Sequence, residues 1–181
     1  MSFHNKTFCR AATITLLWYP SSMVVYDTFS SPLGQITAAS NGGAVIALHL
    51  EGDRYFAAIP ESWKRNTIDP VLVRLRSELT EYFAGERTRF DVPIAFEGTD
   101  FQQAVWGALQ TIAPSETTTY GALAAKIGKP KAVRAVGTAV GRNPLCIVVP
   151  CHRVLAGNGS LGGYVAGLER KQHLLTLEGV L

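Results

Sequence analysis

Between Thr117 and Leu168 the sequence has no acidic residue, although the same stretch holds Lys126, Lys129, Lys131, Arg134, Arg142 and Arg153. The net charge is only +3, so the imbalance is local. Residues 1–98 carry nine Lys/Arg against ten Asp/Glu, and residues 99–181 carry eight against four. A segment of one sign is a candidate polyanion-facing surface, with an ordinary solvated face as the alternative. Cysteine is also scarce. Cys9, Cys146 and Cys151 are odd in number and form no CxxC pair, which argues against a disulfide framework and fits a reducing, cytoplasmic compartment. Cys146 and Cys151 are five apart and would point to opposite faces of an extended strand, so neither a shared bond nor a shared metal is expected of them. No apolar run approaches the length needed to span a bilayer, and no low-complexity tract occurs. With 47% apolar and 17% charged residues, 181 residues suffice for one core or two small packed lobes.

What is present is concentrated near the C-terminal end, in Asn143-Pro144-Leu145-Cys146-Ile147-Val148-Val149-Pro150-Cys151-His152-Arg153-Val154. The apolar run Leu145 to Val149 is short, rich in β-branched residues and bracketed by prolines, so it reads as a buried strand. A thiol, an imidazole and a guanidinium follow directly. Burial raises a cysteine pKa and neighbouring positive charge lowers it, so Cys151 is placed where a thiolate could be held.

The chain before this stretch divides into an extension and a scaffold. In residues 1–22, Lys6 and Arg10 precede a short apolar stretch too thin for a secretion signal; the segment reads as a disordered or loosely docked arm, with Met23 as the natural start. From Val24 the pattern is an antiparallel meander: Val24 to Phe29, a turn at Ser31-Pro32-Leu33-Gly34, Gln35 to Ala39, a hairpin signal at Asn41-Gly42-Gly43, then Ala44 to Leu50. His49 reads as an ordinary strand residue. Asp69 and Pro70 open a helix with Val71, Leu75, Leu79 and Tyr82 on one stripe, stopped by Gly85; Phe90 to Ile94 is a short strand or connector. Residues 23–97 form one α/β lobe in which no chemistry is recognisable.

Residues 98–181 form the second lobe. Thr99 caps a helix with Phe101, Val105, Leu109 and Ile112 inward, ended by Pro114. Thr119 caps a third helix, Tyr120 to Ile127, and a turn at Gly128-Lys129-Pro130 leads to a fourth, about Lys131 to Val140, with Val133, Val136 and Val140 inward. Two short helices across a glycine turn form a helix-turn-helix pattern. The opposite face of the fourth helix presents Arg134 and Thr138 among small residues, including Ala135, which suits close approach to a groove with one long arginine reaching inward. Residues 155–167 contain five glycines and Tyr164, a loop that beside a nucleophile can offer backbone N–H groups and room for a planar ligand. A last helix, Leu168 to Leu177, leads to Glu178, a surface carboxylate or a partner of His152.

Pro150-Cys151-His152-Arg153-Val154, with Asn143-Pro144 upstream, resembles the active-site signature of the O6-alkylguanine-DNA alkyltransferases (methylated-DNA–protein-cysteine methyltransferases). The resemblance extends through Phe101-Gln102-Gln103-Ala104-Val105-Trp106, Tyr120-Gly121-Ala122-Leu123-Ala124, Ala132-Val133-Arg134-Ala135-Val136-Gly137 and Leu177-Glu178-Gly179, and more loosely through Ser31-Pro32-Leu33-Gly34 and Leu79 to Gly85. It implies an α+β fold: a ribonuclease H-like antiparallel lobe with a helix, then a helical, winged helix-turn-helix-like lobe carrying the active-site strand.

The resemblance further implies DNA repair by direct reversal. Cys151 would take the alkyl group from O6-alkylguanine, and from O4-methylthymine, irreversibly and without cofactor or metal. Glu178 would orient His152, which acts through a water on the thiol; Tyr120 would crowd the target phosphate and donate to the departing base. Arg134, with Ala135 and Thr138 on its helix, would enter double-stranded DNA from the minor groove and fill the stack vacated by the flipped base. Asn143 would brace the turn, and Val154, Tyr164 and Val165 would line the guanine pocket. Ala166-Gly167 replaces a frequent Gly-Gly, so bulky adducts are the doubtful substrates; Cys146 reads as packing. The implied protein is a monomer with no obligatory protein partner and no membrane association. A lesion-binding relative that lacks the acceptor cysteine, an Ada-like regulator and a cysteine hydrolase are the competing readings.

Overall fold

The computed structural model describes residues 23–56 and 58–181. The arm read from residues 1–22, Cys9 included, lies outside the described residues. The first lobe is built on β1 (Val25–Ser31), β2 (Gly34–Ser40) and β3 (Val45–Leu50), an antiparallel meander in which Phe29 faces Ile36 and Ile36 faces Leu50. Gly34 takes φ 101° in the first turn, where Ser31 Oγ donates to its carbonyl at 2.7 Å. A two-residue strand that the sequence pattern does not reveal, β4 (Lys64–Arg65), runs parallel to β1, giving the order β3-β2-β1-β4.

Helix α1 (Pro70–Phe83) starts where Asp69 Oδ1 accepts from the N–H groups of Val71 and Leu72 at 3.1 and 3.0 Å. Leu72, Leu75, Leu79 and Tyr82 are buried. Each such side chain contributes roughly 1.5–3 kcal/mol by leaving water. Buried Glu78 on the same helix accepts from the N–H groups of Asp91 and Val92 at 2.8 and 3.1 Å, tying the connector to the lobe.

In the second lobe, α2 (Asp100–Leu109) opens with a reciprocal capping box between Thr99 and Gln102. There follow β5 (Thr118–Thr119), α3 (Tyr120–Lys126), α4 (Val133–Gly141), a 3-10 turn (Cys151–Arg153), β6 (Val154–Leu155) and α5 (Leu168–Leu177); β5 and β6 pair parallel. The architecture is α+β, with a small, mainly antiparallel sheet and five α-helices among the described residues.

Three details differ from expectation. Val133 is 39% exposed; the inward stripe of α4 is Val136, Ala139 and Val140, and the small Ala139 lets Trp106 Nε1 donate to its carbonyl at 2.9 Å. His49 pairs with Asp53, Nδ1 to Oδ2 at 2.7 Å, under a stacked Phe56 ring.

The third difference concerns Leu145 to Val149, which is buried apart from the half-buried Val148 but is not a strand. Only Leu145 bridges, to Leu48 of β3, and the chain then turns, with Ile147 at φ 72°. Asn143 imposes the turn: its Oδ1 accepts from Leu145 N–H at 3.0 Å and its Nδ2 donates to Val149 O at 2.8 Å. A β-branched residue at positive φ costs on the order of 1–3 kcal/mol, which these bonds and the surrounding burial must offset. β3 supplies the anchor, since Leu48 N–H donates to Pro144 O (2.7 Å) and Leu48 O accepts from Cys146 N–H (3.2 Å).

Candidate active site

Cys151 opens the 3-10 turn, 3% exposed, and lines a cavity of about 410 Å³. Helices α3 and α4 contribute Tyr120, Arg134, Gly137 and Thr138 to its walls, and the glycine loop contributes Gly163, Tyr164 and Val165. Asn143 and Val154 are buried outside the cavity lining, and Ala135 is exposed on α4 without reaching it. His152 and Glu178 are also outside the lining, within the protein. Arg54 and Tyr55, from the segment after β3, complete the walls.

The turn reverses one expectation. Cys146 and Cys151 do not point apart; the two thiols lie close enough to shift each other's ionisation. A five-residue extended run would have separated them, and the Asn143-capped turn folds one back beside the other. The single Cys146 S–H has two acceptors within reach, Asn143 O at 3.9 Å and the Cys151 sulfur, and when turned to the sulfur it stabilises a thiolate there. That contact, with the Asn143 side chain and the Lys171 charge, holds the Cys151 thiol below its ordinary pKa against the opposing effect of burial. Cys146, which gives the bond and is buried, is pushed well up. The directions of the two shifts favour the thiolate on Cys151 over Cys146.

The nearby cation is not the neighbour in sequence. Arg153 turns away to form a two-pronged pair with Glu178, Nε to Oε2 at 2.8 Å and Nη2 to Oε1 at 2.7 Å, while Nη1 donates to Ile112 O at 2.7 Å. Lys171 of α5 supplies the charge instead. Its side chain is fully buried and Nζ donates to the carbonyls of Val154 (2.5 Å), Leu161 and Gly163 (3.5 Å). Burial lowers its pKa to about 8. These three carbonyls tie the glycine loop to β6, so Lys171 both shapes the cavity wall and biases the thiol.

Glu178 collects the remaining donors. Its Oε1 accepts from Tyr82 Oη at 2.8 Å and faces His152 Nε2 at 3.0 Å, beside the Arg153 pair. Burial would raise its pKa, but the bonds from His152 and Arg153 overcome this and hold it at about 2. Burial outweighs the carboxylate's pull on His152 and leaves that imidazole below its ordinary value, hence neutral at neutral pH. With Glu178 ionised, Nε2 carries the proton and Nδ1 carries the lone pair. Nδ1 is buried with no hydrogen-bond partner among the described residues.

Two phenols of the second lobe face the cavity. Tyr120 Oη donates to Gly163 O at 3.4 Å; burial, then the Cys151 charge, raise its pKa, so it remains a donor. Tyr164 Oη is buried beside both sulfurs yet completes no well-formed hydrogen bond. A buried, unsatisfied hydroxyl costs about 1–3 kcal/mol unless a ligand meets it. Among the described residues no cluster of three or more His, Cys, Asp or Glu could hold a metal.

Sequence reasoning passed over Lys171, Tyr82, Arg54 and Tyr55. Lys171 did leave a signal, because it shares a helix face with the buried Leu174 and Leu175. The other three come from the first lobe: Tyr82 is marked only as part of the apolar stripe of α1, and Arg54 and Tyr55 carry no local pattern.

The family model described as "6-O-methylguanine DNA methyltransferase, DNA binding domain" matches residues 100–180, and its companion "ribonuclease-like domain" matches residues 24–96. The chain is 46% identical over 154 residues to a methylated-DNA–protein-cysteine methyltransferase of Methanosarcina acetivorans, covering 85% of this chain and 97% of the relative. It is also 46% identical to the Mycobacterium tuberculosis protein of that name, over 86% and 93% of the two chains. The crystal structure of Mycobacterium tuberculosis OGT in complex with DNA superposes with a TM-score of 0.78 at 44% identity, covering 85% of this chain and 92% of that one.

Proposed function

Since the chain belongs to the 6-O-methylguanine DNA methyltransferase family, we propose that Cys151 is the residue that accepts the alkyl group from damaged DNA. The protein is a DNA-repair methyltransferase that moves an alkyl group from DNA to a protein cysteine. The observation that carries the assignment is the pairing of two thiols, of which only Cys151 lines the cavity and only Cys151 is biased toward the thiolate.

The step balances without a cofactor. The Cys151 sulfur donates an electron pair to the alkyl carbon and a C–S bond forms. The C–O6 bond breaks, and its pair returns to the guanine ring, which takes a proton. Tyr120, kept protonated, is placed to donate toward the departing base. If a thiol rather than a thiolate enters, His152 Nδ1 is the available base: it has a lone pair, and a single water between it and Sγ would carry the proton. Glu178 keeps the imidazole in the tautomer this requires. A thioether has no good leaving group, so each molecule reacts once.

The Cys151 sulfur is at the cavity wall in a residue only 3% exposed, so a base must leave the duplex to reach it. Arg134 and Thr138 are exposed on α4 and line the same cavity, which supports entry of that helix into a groove, read as the minor groove, with Arg134 filling the vacated stack. The unsatisfied Tyr164 hydroxyl and the carbonyls around Gly163 fit a planar heterocycle. We read O6-methylguanine and O4-methylthymine as substrates, a monomer as the working unit, the ribonuclease H-like and winged helix-turn-helix descriptions as those of lobes 23–97 and 98–181, and the cytoplasm as the location. Among the described residues no helix is long and apolar enough to cross a membrane.

The test is incubation with duplex DNA carrying O6-methylguanine, followed by peptide mass analysis. A methyl adduct on the Cys151 peptide is expected. DNA binding without any adduct would instead identify a lesion-binding protein, and an adduct on Cys146 would overturn the assignment of the acceptor.

A further inference from the structure

The first lobe reaches the reactive cavity at one place, the segment after β3. Asp53 there is 5% exposed and braced twice: Oδ2 meets His49 Nδ1 at 2.7 Å and Oδ1 accepts from Tyr55 N–H at 2.9 Å. Phe56 stacks on the His49 ring at 4.2 Å with 4° between planes, so the chain is held on both sides of Arg54 and Tyr55. The Tyr55 ring then reaches across to the second lobe. It lies against Gly141, where a Cβ would sit 3.7 Å from Cε2, and under the Arg142 guanidinium, 5.6 Å from its centroid.

This bracing presents Arg54 at the cavity with nothing to neutralise it. Arg54 is exposed and has no hydrogen-bond or ion-pair partner among the described residues, and the same is true of the Arg134 guanidinium. Both line the cavity that holds Cys151, and no carboxylate lines it. With Arg134 given to the vacated stack, Arg54 is left as the uncommitted guanidinium on this cavity, on a backbone fixed by the first lobe, and it offers a contact to an anion that stays outside when a planar group goes in. A flipped nucleotide has that shape: its base enters and its phosphates remain at the mouth.

We propose that Arg54 is a DNA-phosphate contact supplied by the first lobe, held in place by the Asp53 brace and the Tyr55–Arg142 contact, and acting on the strand that delivers the damaged base. The proposal rests on the reading of Cys151 as the acceptor only for its position; the contact itself is read by binding. Arg54 acts at the phosphates of the substrate, so it matters more for duplex DNA than for the free base.

The experiment compares Arg54→Ala, Arg54→Lys and, as a charge control, Arg89→Ala, an exposed first-lobe arginine that lines no part of this cavity. Each is placed in a Cys151→Ala background and titrated with O6-methylguanine duplex over a range of salt. Loss of one phosphate contact should reduce the slope of log K against log salt by about 0.9 for Arg54→Ala, with Arg54→Lys close to the parent and Arg89→Ala unchanged. With Cys151 present, Arg54→Ala should slow transfer from the duplex more than transfer from free O6-methylguanine base. An unchanged slope in Arg54→Ala overturns the proposal, as does an equal loss in Arg89→Ala or an equal slowing on the free base. Failure of Cys151 to become methylated in the wild type would sink the acceptor assignment while leaving the salt slopes to decide Arg54.

Discussion

The two lobes use their buried polar groups for opposite ends. In the first, Asp53 and Glu78 accept backbone N–H groups of loops that have no strand partner, so each carboxylate fixes a piece of chain. In the second, His152, Arg153, Lys171 and Glu178 converge within a link or two of one sulfur, and what they fix is a protonation state. A buried carboxylate beside backbone donors makes a rigid loop. The Glu178 carboxylate takes its donors from side chains instead, Tyr82, His152 and Arg153, and so orients an imidazole. The lobes meet where these uses overlap, at the β3 edge that carries Leu145 and at Tyr82, which donates to Glu178.

The largest expected effect keeps to the second lobe. Cys151→Ala should abolish alkyl transfer while duplex binding persists, as read by adduct mass and by binding to the same duplex. Transfer that survives, relocated to Cys146, would mean that the two thiols are interchangeable and that the bias between them is irrelevant.

Glu178→Gln should come next, because it breaks both the clamp on Arg153 and the tautomer of His152. Removing one partner of a buried pair costs about 3–5 kcal/mol, and loss of an oriented base slows transfer on the order of a hundredfold. The pH dependence follows from the direction of the shift. Glu178 has a folded pKa near 2 against an ordinary 4.5, so its stabilisation is complete above 4.5 and is lost as pH falls toward 2. Across that window the wild type should lose about 3 kcal/mol from this group, and the variant should lack that part of the slope. His152 adds a loss in the same direction below its ordinary 6.5, because the fold disfavours its charged form. Denaturant titrations at a series of pH values would show equal slopes for both proteins if Glu178 is uncoupled from its neighbours.

Lys171→Met isolates the charge from the hydrogen bonds. Without the buried cation the Cys151 thiolate loses a stabilising neighbour, so the acid limb of the pH–rate profile should move to higher pH. An unmoved limb, with slower transfer at every pH, would assign Lys171 to holding the glycine loop alone.

How much of this the chain announces depends on whether the cause is local. The meander, α1, α2 and the α3–turn–α4 unit follow from apolar spacing and from caps at Asp69, Thr99 and Thr119, and their residues settle near those limits. The Leu145 to Val149 run misleads because composition favours a strand while one side chain, Asn143, satisfies the backbone of a turn. The thiol pair, the Arg153 clamp and the Arg54–Tyr55 wall depend on contacts that sequence spacing does not encode. Cys151, His152 and Glu178 are legible because adjacency and motif mark them; Tyr82, 96 residues from Glu178, is marked only as part of the apolar stripe of α1.

Tyr82→Phe is the smallest change and the sharpest probe of the boundary between lobes. It removes only the hydroxyl that donates to Glu178 Oε1 at 2.8 Å and leaves the ring packed against Phe83 and Phe90. Glu178 keeps three donor contacts, one from His152 and two from Arg153, so no charge is stranded. A hydrogen bond to a charged group contributes about 1.5–3 kcal/mol, and with those contacts retained the loss should lie at the lower end of that range. Transfer should stay within about threefold, since a neutral phenol perturbs the His152 tautomer far less than the carboxylate does. If the rate instead fell as far as in Glu178→Gln while stability barely changed, Tyr82 would be a positioning residue of the relay. The division between a lobe that holds chain and a lobe that holds protons would then run through α1 rather than between the lobes.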